Sequence, residues 1–384
     1  MPYKDCKEVN NMKKVKVCFV APGIYPCFTG NFLNSKIGGA ELQQTFIAKQ
    51  LAKKGMDVSC VTLDYGQPGG EVIDGVKMYS AYSPNEGIPA LRFYYPNFWK
   101  LWQAFRRADA DIYYVRCAGF LLGAVRLFCT IHKKKFVFAG AHDTDFIPKE
   151  VKIRFFRDKL LYQYGLKGAN AIIVQTKRQL QLLKNNFKLN GIIIPNFLPF
   201  PVKDRERDSD DIILWVATIR KWKQPFHFIR LAKSFPSQKF VMIGGKDDFA
   251  PEVYKKVVDE AQKLRNLDFM GFEPFEKTER YFDRCKIFVN TSQHEGFPNT
   301  FLQAWRRGIP VISYVDPDDV IKNNGLGIVV KTENELARAL DHLNNQLQQT
   351  NITSKIKKYY RENHSPAVIA MYEQLFIEIL NSKK

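Results

Sequence analysis

The sequence predicts an α/β protein built as two doubly wound, Rossmann-like domains that face each other across a cleft. Three observations carry this expectation. The chain opens on a strand, a glycine-rich loop, a helix and a second strand. The same rhythm restarts after a proline- and charge-rich break near the middle. At 384 residues, 45% hydrophobic and 25% charged, the chain can bury two cores of ordinary size, whereas one core would be unusually large.

The first strand is predicted over residues 15–20, a β-branched and aromatic run that stops at Ala21-Pro22-Gly23. Gly38-Gly39-Ala40-Glu41 then opens a helical pattern through Leu42, Phe46, Ile47 and Leu51, which closes at Gly55. A strand over 57–63 completes the doubly wound unit. Further strands are predicted over 111–115, 136–138 and 171–174 with helices between them, the pattern of a parallel sheet. Residues 195–211 combine three prolines with a charge run and read as an exposed connection. The expected domains are therefore 13–200 and 201–364. In the second domain, strands are predicted over 212–216, 239–243, 287–290 and 310–313. Residues 365–384 form a last helix, whose apolar stripe (Val368, Ile369, Met371, Tyr372, Leu375, Phe376, Ile379, Leu380) needs a surface to cover it.

Composition removes several classes of function. The seven cysteines are scattered without a Cys-x-x-Cys pair or zinc-ligand spacing, so no metal site is expected, and the odd count suits reduced, cytosolic thiols. The N-terminal residues lack the apolar stretch and cleavage site of a secretory signal. The longest apolar run, residues 118–128, falls well short of the roughly 20 residues a membrane-spanning helix requires and carries Arg126. A formal charge of +19 favours polyanionic partners of any kind. No helix-turn-helix signature, aromatic ribonucleoprotein motif or zinc finger accompanies it, so nucleic acid is not the expected partner.

The most informative stretch is residues 290–314, NTSQHEGFPNTFLQAWRRGIPVISY, which reads as strand, loop, helix, glycine and strand. Gly296, Phe297 and Pro298 shape a tight loop, and the helix opens near Asn299 and Thr300, so unpaired amides and the positive end of the helix dipole face the loop mouth. Such a terminus suits phosphate. Glu295 precedes it, where a carboxylate can accept from sugar hydroxyls, and Gln303 lies about one turn into the helix. The same two residues also suit a plainer arrangement, with Glu295 capping the helix and Gln303 solvated on its surface.

The segment HEGFPNTFLQAWRRGIPVIS resembles the hallmark of glycosyltransferase family 4, the glycosyl transferases group 1, which are retaining enzymes with the GT-B fold. The family motif is a glutamate, seven residues and a second glutamate. Glu295 matches the first, which the resemblance places on the donor sugar. Gln303 stands where the second contacts the nucleotide ribose, so a charge-assisted bond becomes a neutral one, a loss of about 1 kcal/mol. Residues 213–245 are similar to the family's segment with a Gly-Arg dipeptide and a lysine, a pair that neutralises the leaving diphosphate. Lys223 falls on the lysine position, Ala217-Thr218 replaces Gly-Arg, and Arg220 lies two residues on as a substitute cation. Gly38 and Gly39 resemble the family's N-terminal glycine loop, where amides approach the donor phosphate, and His142 occupies the position of a histidine set against the donor sugar.

The resemblance runs from about residue 13 to the final helix, which it implies crosses back onto the first domain. It further implies retaining transfer from a nucleotide-diphosphate sugar, used as co-substrate without a resident metal or cofactor, to a glycan or lipid-linked acceptor. Such reactions belong to cell-surface polysaccharide or lipopolysaccharide synthesis. The alternative is a GT-B pseudoenzyme or binding subunit whose donor site has decayed at Thr218 and Gln303. The resemblance also implies that the first domain selects the acceptor. There Arg106, Arg107, Arg126, His132 to Lys135, Lys149, Lys152, Arg154, Arg157 and Lys159 interleave with aromatic and apolar residues. That pattern suits an anionic membrane surface, as expected of a cytoplasmic protein peripheral on the inner face of the cell membrane.

Overall fold

The computed structural model describes residues 14–31, 38–83, 86–87, 93–151, 153–204, 211–247, 250–349 and 352–382. Residue 13, Lys152 and residues 205–210 of the predicted connection lie outside the described residues.

The first half runs β1 (Lys16–Val20), α1 (Tyr25–Thr29), α2 (Gly39–Lys53), β2 (Asp57–Thr62), β3 (Val72–Ile73), β4 (Val76–Ser80) and α3 (Trp99–Ala108). It continues with β5 (Ile112–Arg116), α4 (Leu121–Ile131), β6 (Lys135–Ala139), α5 (Phe156–Lys167), β7 (Ala171–Val174), α6 (Lys177–Phe187) and β8 (Ile192–Ile193). Its strands form one eight-stranded sheet in the order β3-β4-β2-β1-β5-β6-β7-β8, parallel except where β3 turns back on β4. Asp74 and Gly75 take positive φ at that hairpin, as a two-residue turn matched to strand twist requires.

The second half runs β9 (Ile212–Val216), α7 (Pro225–Ser234), β10 (Lys239–Ile243), α8 (Pro251–Ala261), β11 (Leu267–Phe269), α9 (Phe275–Arg284) and β12 (Cys285–Asn290). It ends with α10 (Asn299–Arg306), β13 (Val311–Ser313), α11 (Val320–Asn324), β14 (Gly327–Val329), α12 (Glu333–Gln349), α13 (Ile352–Asn363) and α14 (Ile369–Asn381). Its six strands are parallel throughout, in the order β11-β10-β9-β12-β13-β14. Both sheets are doubly wound, and their central strands are near-continuous apolar runs because helices cover both faces.

One apolar cluster joins the halves. It runs from Val17 and Phe19 of β1 through Phe197 and Leu198 to Phe301 and Trp305 of α10, and on to Tyr372 and Phe376 of α14. The rings of Tyr372 and Phe376 lie 6.4 and 6.5 Å from that of Tyr114 on β5. Helix α14 therefore covers its apolar stripe with the first sheet, each buried aromatic contributing roughly 1.5–3 kcal/mol. Lys54 at the end of α2 adds an ion pair with Glu373, 2.6 Å away.

Candidate active site

The carboxyl ends of the central strands of both sheets carry the loops in which the sequence placed its candidates. On the second half, β9 ends at Val216, and the chain passes through Ala217, Thr218 and Arg220 into a short helical turn, Lys221–Lys223. Thr291, just past β12, fixes that turn: its Oγ1 lies 2.7 Å from the carbonyl of Lys223 and 3.1 Å from that of Gln224, and it accepts the Trp215 indole N–H at 2.9 Å. The amide of Gln293 donates to the Trp222 carbonyl at 2.9 Å. Held in this way, the Lys223 ammonium pairs with the Glu295 carboxylate, both side chains 12% exposed, and lies 4.2 Å from the centre of the Trp222 ring. Such a partly desolvated pair is electrostatically stronger than a surface one.

His142 approaches from the first half. It follows β6, and its ring meets that of Trp222 edge to face at 6.4 Å. Asp145 sets its backbone, because the buried carboxylate accepts from the amides of Ala141 and His142 at 2.7 and 3.0 Å. Burial pushes the Asp145 carboxyl upward, while those amides and Arg116 oppose the shift. The loop 140–143 is braced further by Gln175, whose amide donates to the Gly140 carbonyl at 2.9 Å, and by the Arg178–Asp143 pair at 2.9 Å.

The halves approach closely at Gly296. A Cβ there would sit 2.3 Å from the carbonyl oxygen of Ala141, so only glycine fits. Asn299, the first residue of α10, staples the same seam: its Nδ2 donates to the Gly39 carbonyl at 3.0 Å, while its Oδ1 accepts from Gln43 and Asn196 at 3.1 and 3.2 Å. Pro298 caps α10 in extended geometry, with Thr300 half-buried behind it.

The structure thus brings Lys223, Glu295, Gly296 and His142 together with Gly39 and Asn299 beside them, while five other candidates sit in surroundings of their own. Gly38 places its amide on the Glu41 carboxylate at 3.0 Å, a helix cap, so that N–H is already satisfied within α2. Phe297 is 7% exposed and packs its ring against His364 and Trp305 at 4.9 and 6.0 Å, making it a core residue, and its carbonyl accepts from Asn196 at 3.1 Å. Arg220 pairs with Asp247 at 3.0 Å, and Thr218 is half-buried in the loop beside it. Gln303, read alternatively as a solvated residue, is 3% exposed: its Nε2 donates to Glu279 at 2.9 Å and to Thr278 at 3.3 Å on α9. Glu279 in turn holds Arg306 and Arg307, at 2.5 and 2.9 Å, so an ionic network orients the glutamine away from solvent.

Thr291, Asp145 and Trp222 were not singled out from sequence. A lone threonine after a strand carries no distinguishing pattern; Asp145 had the cue of an acid three residues beyond the start of a turn.

Two family matches abut at residue 199. Residues 37–199 match Glycosyltransferase Family 4, and residues 199–363 match Glycosyl transferases group 1. Each match covers one half of the chain, and together they span residues 37–363, with the GT-B architecture of two facing Rossmann-like halves. It is 24% identical over 187 residues to an alpha-monoglucosyldiacylglycerol synthase of Acholeplasma laidlawii, a match covering 46% of each chain, so it spans about half that relative's length. An uncharacterized glycosyltransferase of Haemophilus influenzae is 22% identical over 325 residues, covering 80% of this chain and 87% of its own. Among solved structures, sucrose-phosphate synthase from Thermosynechococcus elongatus superposes with a TM-score of 0.75 at 15% identity, covering 96% of this chain and all of its own (100%). The Anabaena protein HepE in complex with UDP and glucose superposes at 0.71 with 14% identity, covering 95% of this chain and 99% of its own. At these identities the likeness speaks to the fold.

Proposed function

We propose that the protein transfers a sugar, with retention of anomeric configuration, from a nucleotide-diphosphate sugar to a glycan or lipid-linked acceptor. The observation that carries this reading is the Lys223–Glu295 pair, set at the mouth of α10 and faced by His142 from the opposite half. When the bond between the anomeric carbon and the diphosphate breaks, its electron pair remains on the leaving phosphate oxygen. Lys223 supplies the fixed positive charge that meets it, aided by the free amides at the start of α10. Glu295 accepts from sugar hydroxyls and carries negative charge beside the developing positive anomeric centre, while His142 contacts the sugar from the acceptor side. Arg220, Thr218 and Gly39 border the nucleotide and diphosphate portions in this scheme, with Gln303 held back from them by Glu279.

The lipid-linked acceptor draws support from the Acholeplasma relative, whose name places its product on diacylglycerol, and from the basic first half. On that basis the acceptor belongs to surface polysaccharide or lipopolysaccharide synthesis at the inner face of the cell membrane. Among the described residues no helix is long and apolar enough to cross a membrane, so on this reading contact with lipid is peripheral.

The competing reading, a decayed donor site, draws on Thr218 and on the commitment of Gln303 to Glu279. Release of nucleoside diphosphate from a panel of nucleotide sugars separates the two, with total bacterial lipid extract as acceptor source. Turnover with one donor, lowered about 10²–10³-fold in Lys223→Ala, is expected if the fixed cation meets the leaving group. No turnover with any donor would leave the decayed-site reading standing.

A further inference from the structure

The first half presents an aromatic surface that none of the chemistry above uses. Tyr94, Tyr95 and Trp99 are 63%, 72% and 55% exposed, and Phe155 and Phe156 are 56% and 75% exposed. Single exposed apolar residues are ordinary, but these come from two chain segments that touch. The Arg157 guanidinium lies 5.9 Å from the Tyr94 ring centre and 6.0 Å from that of Phe155, and Arg154 lies 5.5 Å from Phe155. The surface continues along α5, where Phe156, Leu160 and Tyr164 recur every four residues and stay exposed on one stripe. It extends onto the adjoining α4, whose Leu127 and Ile131 are exposed at the same spacing. The two helices pack backbone to backbone: a Cβ at Gly123 would lie 2.6 Å from the Leu161 carbonyl, and one at Gly165 would lie 2.4 Å from Leu122. That contact leaves their outer faces side by side.

The charge around this stripe is mainly positive, with Glu86 already paired to Lys100. Residues 93–108 and 120–135 contain no Asp or Glu, and residues 153–167 contain only Asp158, which Arg157 pairs at 2.8 Å. Arg126, Arg154, Lys159 and Lys167 remain around the aromatics, with the Arg126 guanidinium 4.0 Å above the Tyr164 ring. We infer that Tyr94, Tyr95, Trp99, Phe155, Phe156 and the outer stripe of α5 form a docking face for an anionic lipid bilayer, with the aromatic rings entering the headgroup layer and the surrounding arginines and lysines meeting lipid phosphate. Rings with a polar edge settle at that depth, and guanidinium groups bind phosphate diester oxygens there. A second copy of this chain would bring the same uncompensated positive charge against itself, which disfavours a homodimer on this face. This inference builds on the lipid-linked acceptor reading by naming the surface that meets the lipid.

Flotation of the full chain with vesicles tests it, using phosphatidylglycerol mixed with phosphatidylcholine against phosphatidylcholine alone, at low and high salt. The wild type is expected to float with the anionic vesicles at low salt and to be released at high salt. Tyr95→Ser, Phe155→Ser and Phe156→Ser combined should lower the bound fraction at least tenfold, with an unchanged melting temperature and an unchanged thermal shift from nucleoside diphosphates. Dibrominated lipid in the anionic vesicles should quench tryptophan emission, and Trp99→Phe should abolish that component. Failure to float, flotation unaffected by the triple substitution, or emission that brominated lipid leaves intact would each overturn the inference. So would a dimer in solution that the triple substitution converts to monomer without any vesicle binding. Because nucleotide response is read on the same samples, loss of docking with donor binding intact refutes this face alone, and the converse refutes only the donor site.

Discussion

Two residues show how far local pattern carries and where it stops. The spacing of Glu295 and Gln303 marks the segment as the family hallmark, and a glutamate at the second place would complete it. The structure argues against that exchange. Gln303 donates its amide to Glu279 across 2.9 Å, so Gln303→Glu would set two carboxylates against each other in a 3%-exposed position. We expect Gln303→Glu to lower stability by about 1–3 kcal/mol at neutral pH. The deficit should shrink as pH falls toward 5 and one carboxyl takes up a proton, which urea denaturation at several pH values would measure. His364 gives a second titration. Its Nδ1 donates to the Asn196 carbonyl at 2.7 Å, its Nε2 is buried with no hydrogen-bond partner, and burial lowers its pKa from 6.5 to about 4. A depressed folded-state pKa means that the unfolded chain binds the extra proton first. Its stability contribution is therefore complete above about pH 6.5 and is lost as pH falls through the folded value, by up to roughly 3 kcal/mol. His364→Gln should flatten that part of the stability profile in urea melts between pH 7 and 4. Neither network was legible in the sequence, because Glu279 and Asn196 lie 24 and 168 residues from the groups they bind.

At the level of elements, strand and helix periodicity was informative where elements are long and buried. The central strands β1, β2, β5, β9, β10 and β12 were all expected, because each is a β-branched or aromatic run with helices on both sides. The strands that escaped notice are edge or near-edge pieces of two to five residues: Val72–Ile73, Val76–Ser80, Ile192–Ile193, Leu267–Phe269 and Gly327–Val329. Their pairing partners define them more than their own composition does. The join between halves was likewise hidden. Asp318, at positive φ before α11, extends its carboxylate to the amides of Lys177 and Arg178 at 2.6 and 3.1 Å, capping α6 from the opposite half. A capping carboxylate is normally supplied by the chain just before the helix, and here Thr176 already bonds the amide of Gln179. Asp318→Ala should cost about 1 kcal/mol. It should also loosen the approach of the halves, seen as an increased radius of gyration in solution scattering. An unchanged radius would mean that the apolar cluster, α14 and the Gly296 and Asn299 contacts hold the seam without it.

For the molecule as a whole, two doubly wound sheets joined by one apolar cluster and a returning helix place the ends of their central strands around a shared cleft. The α/β class and the two-sheet plan follow from periodicity and length; the stripe on α14 showed only that a cover was needed, and it was the family resemblance that implied the crossing onto the first half. The site was legible as segments rather than as a constellation: Lys223 and Glu295 were each named, but their mutual ion pair and the placement of Trp222 beneath the ammonium depend on Thr291 and on how β9 and β12 lie side by side. The central claim is that this pair receives the diphosphate and sugar of a nucleotide-sugar donor. Calorimetric titration of the full chain with UDP, ADP, GDP and their sugar conjugates tests it most directly. The account predicts one-to-one binding of one nucleotide class, weakened at least tenfold in Lys223→Ala and less in Arg220→Ala, whose guanidinium is tied to Asp247. If no nucleotide binds, or if Lys223→Ala binds as tightly as the wild type, the claim is contradicted.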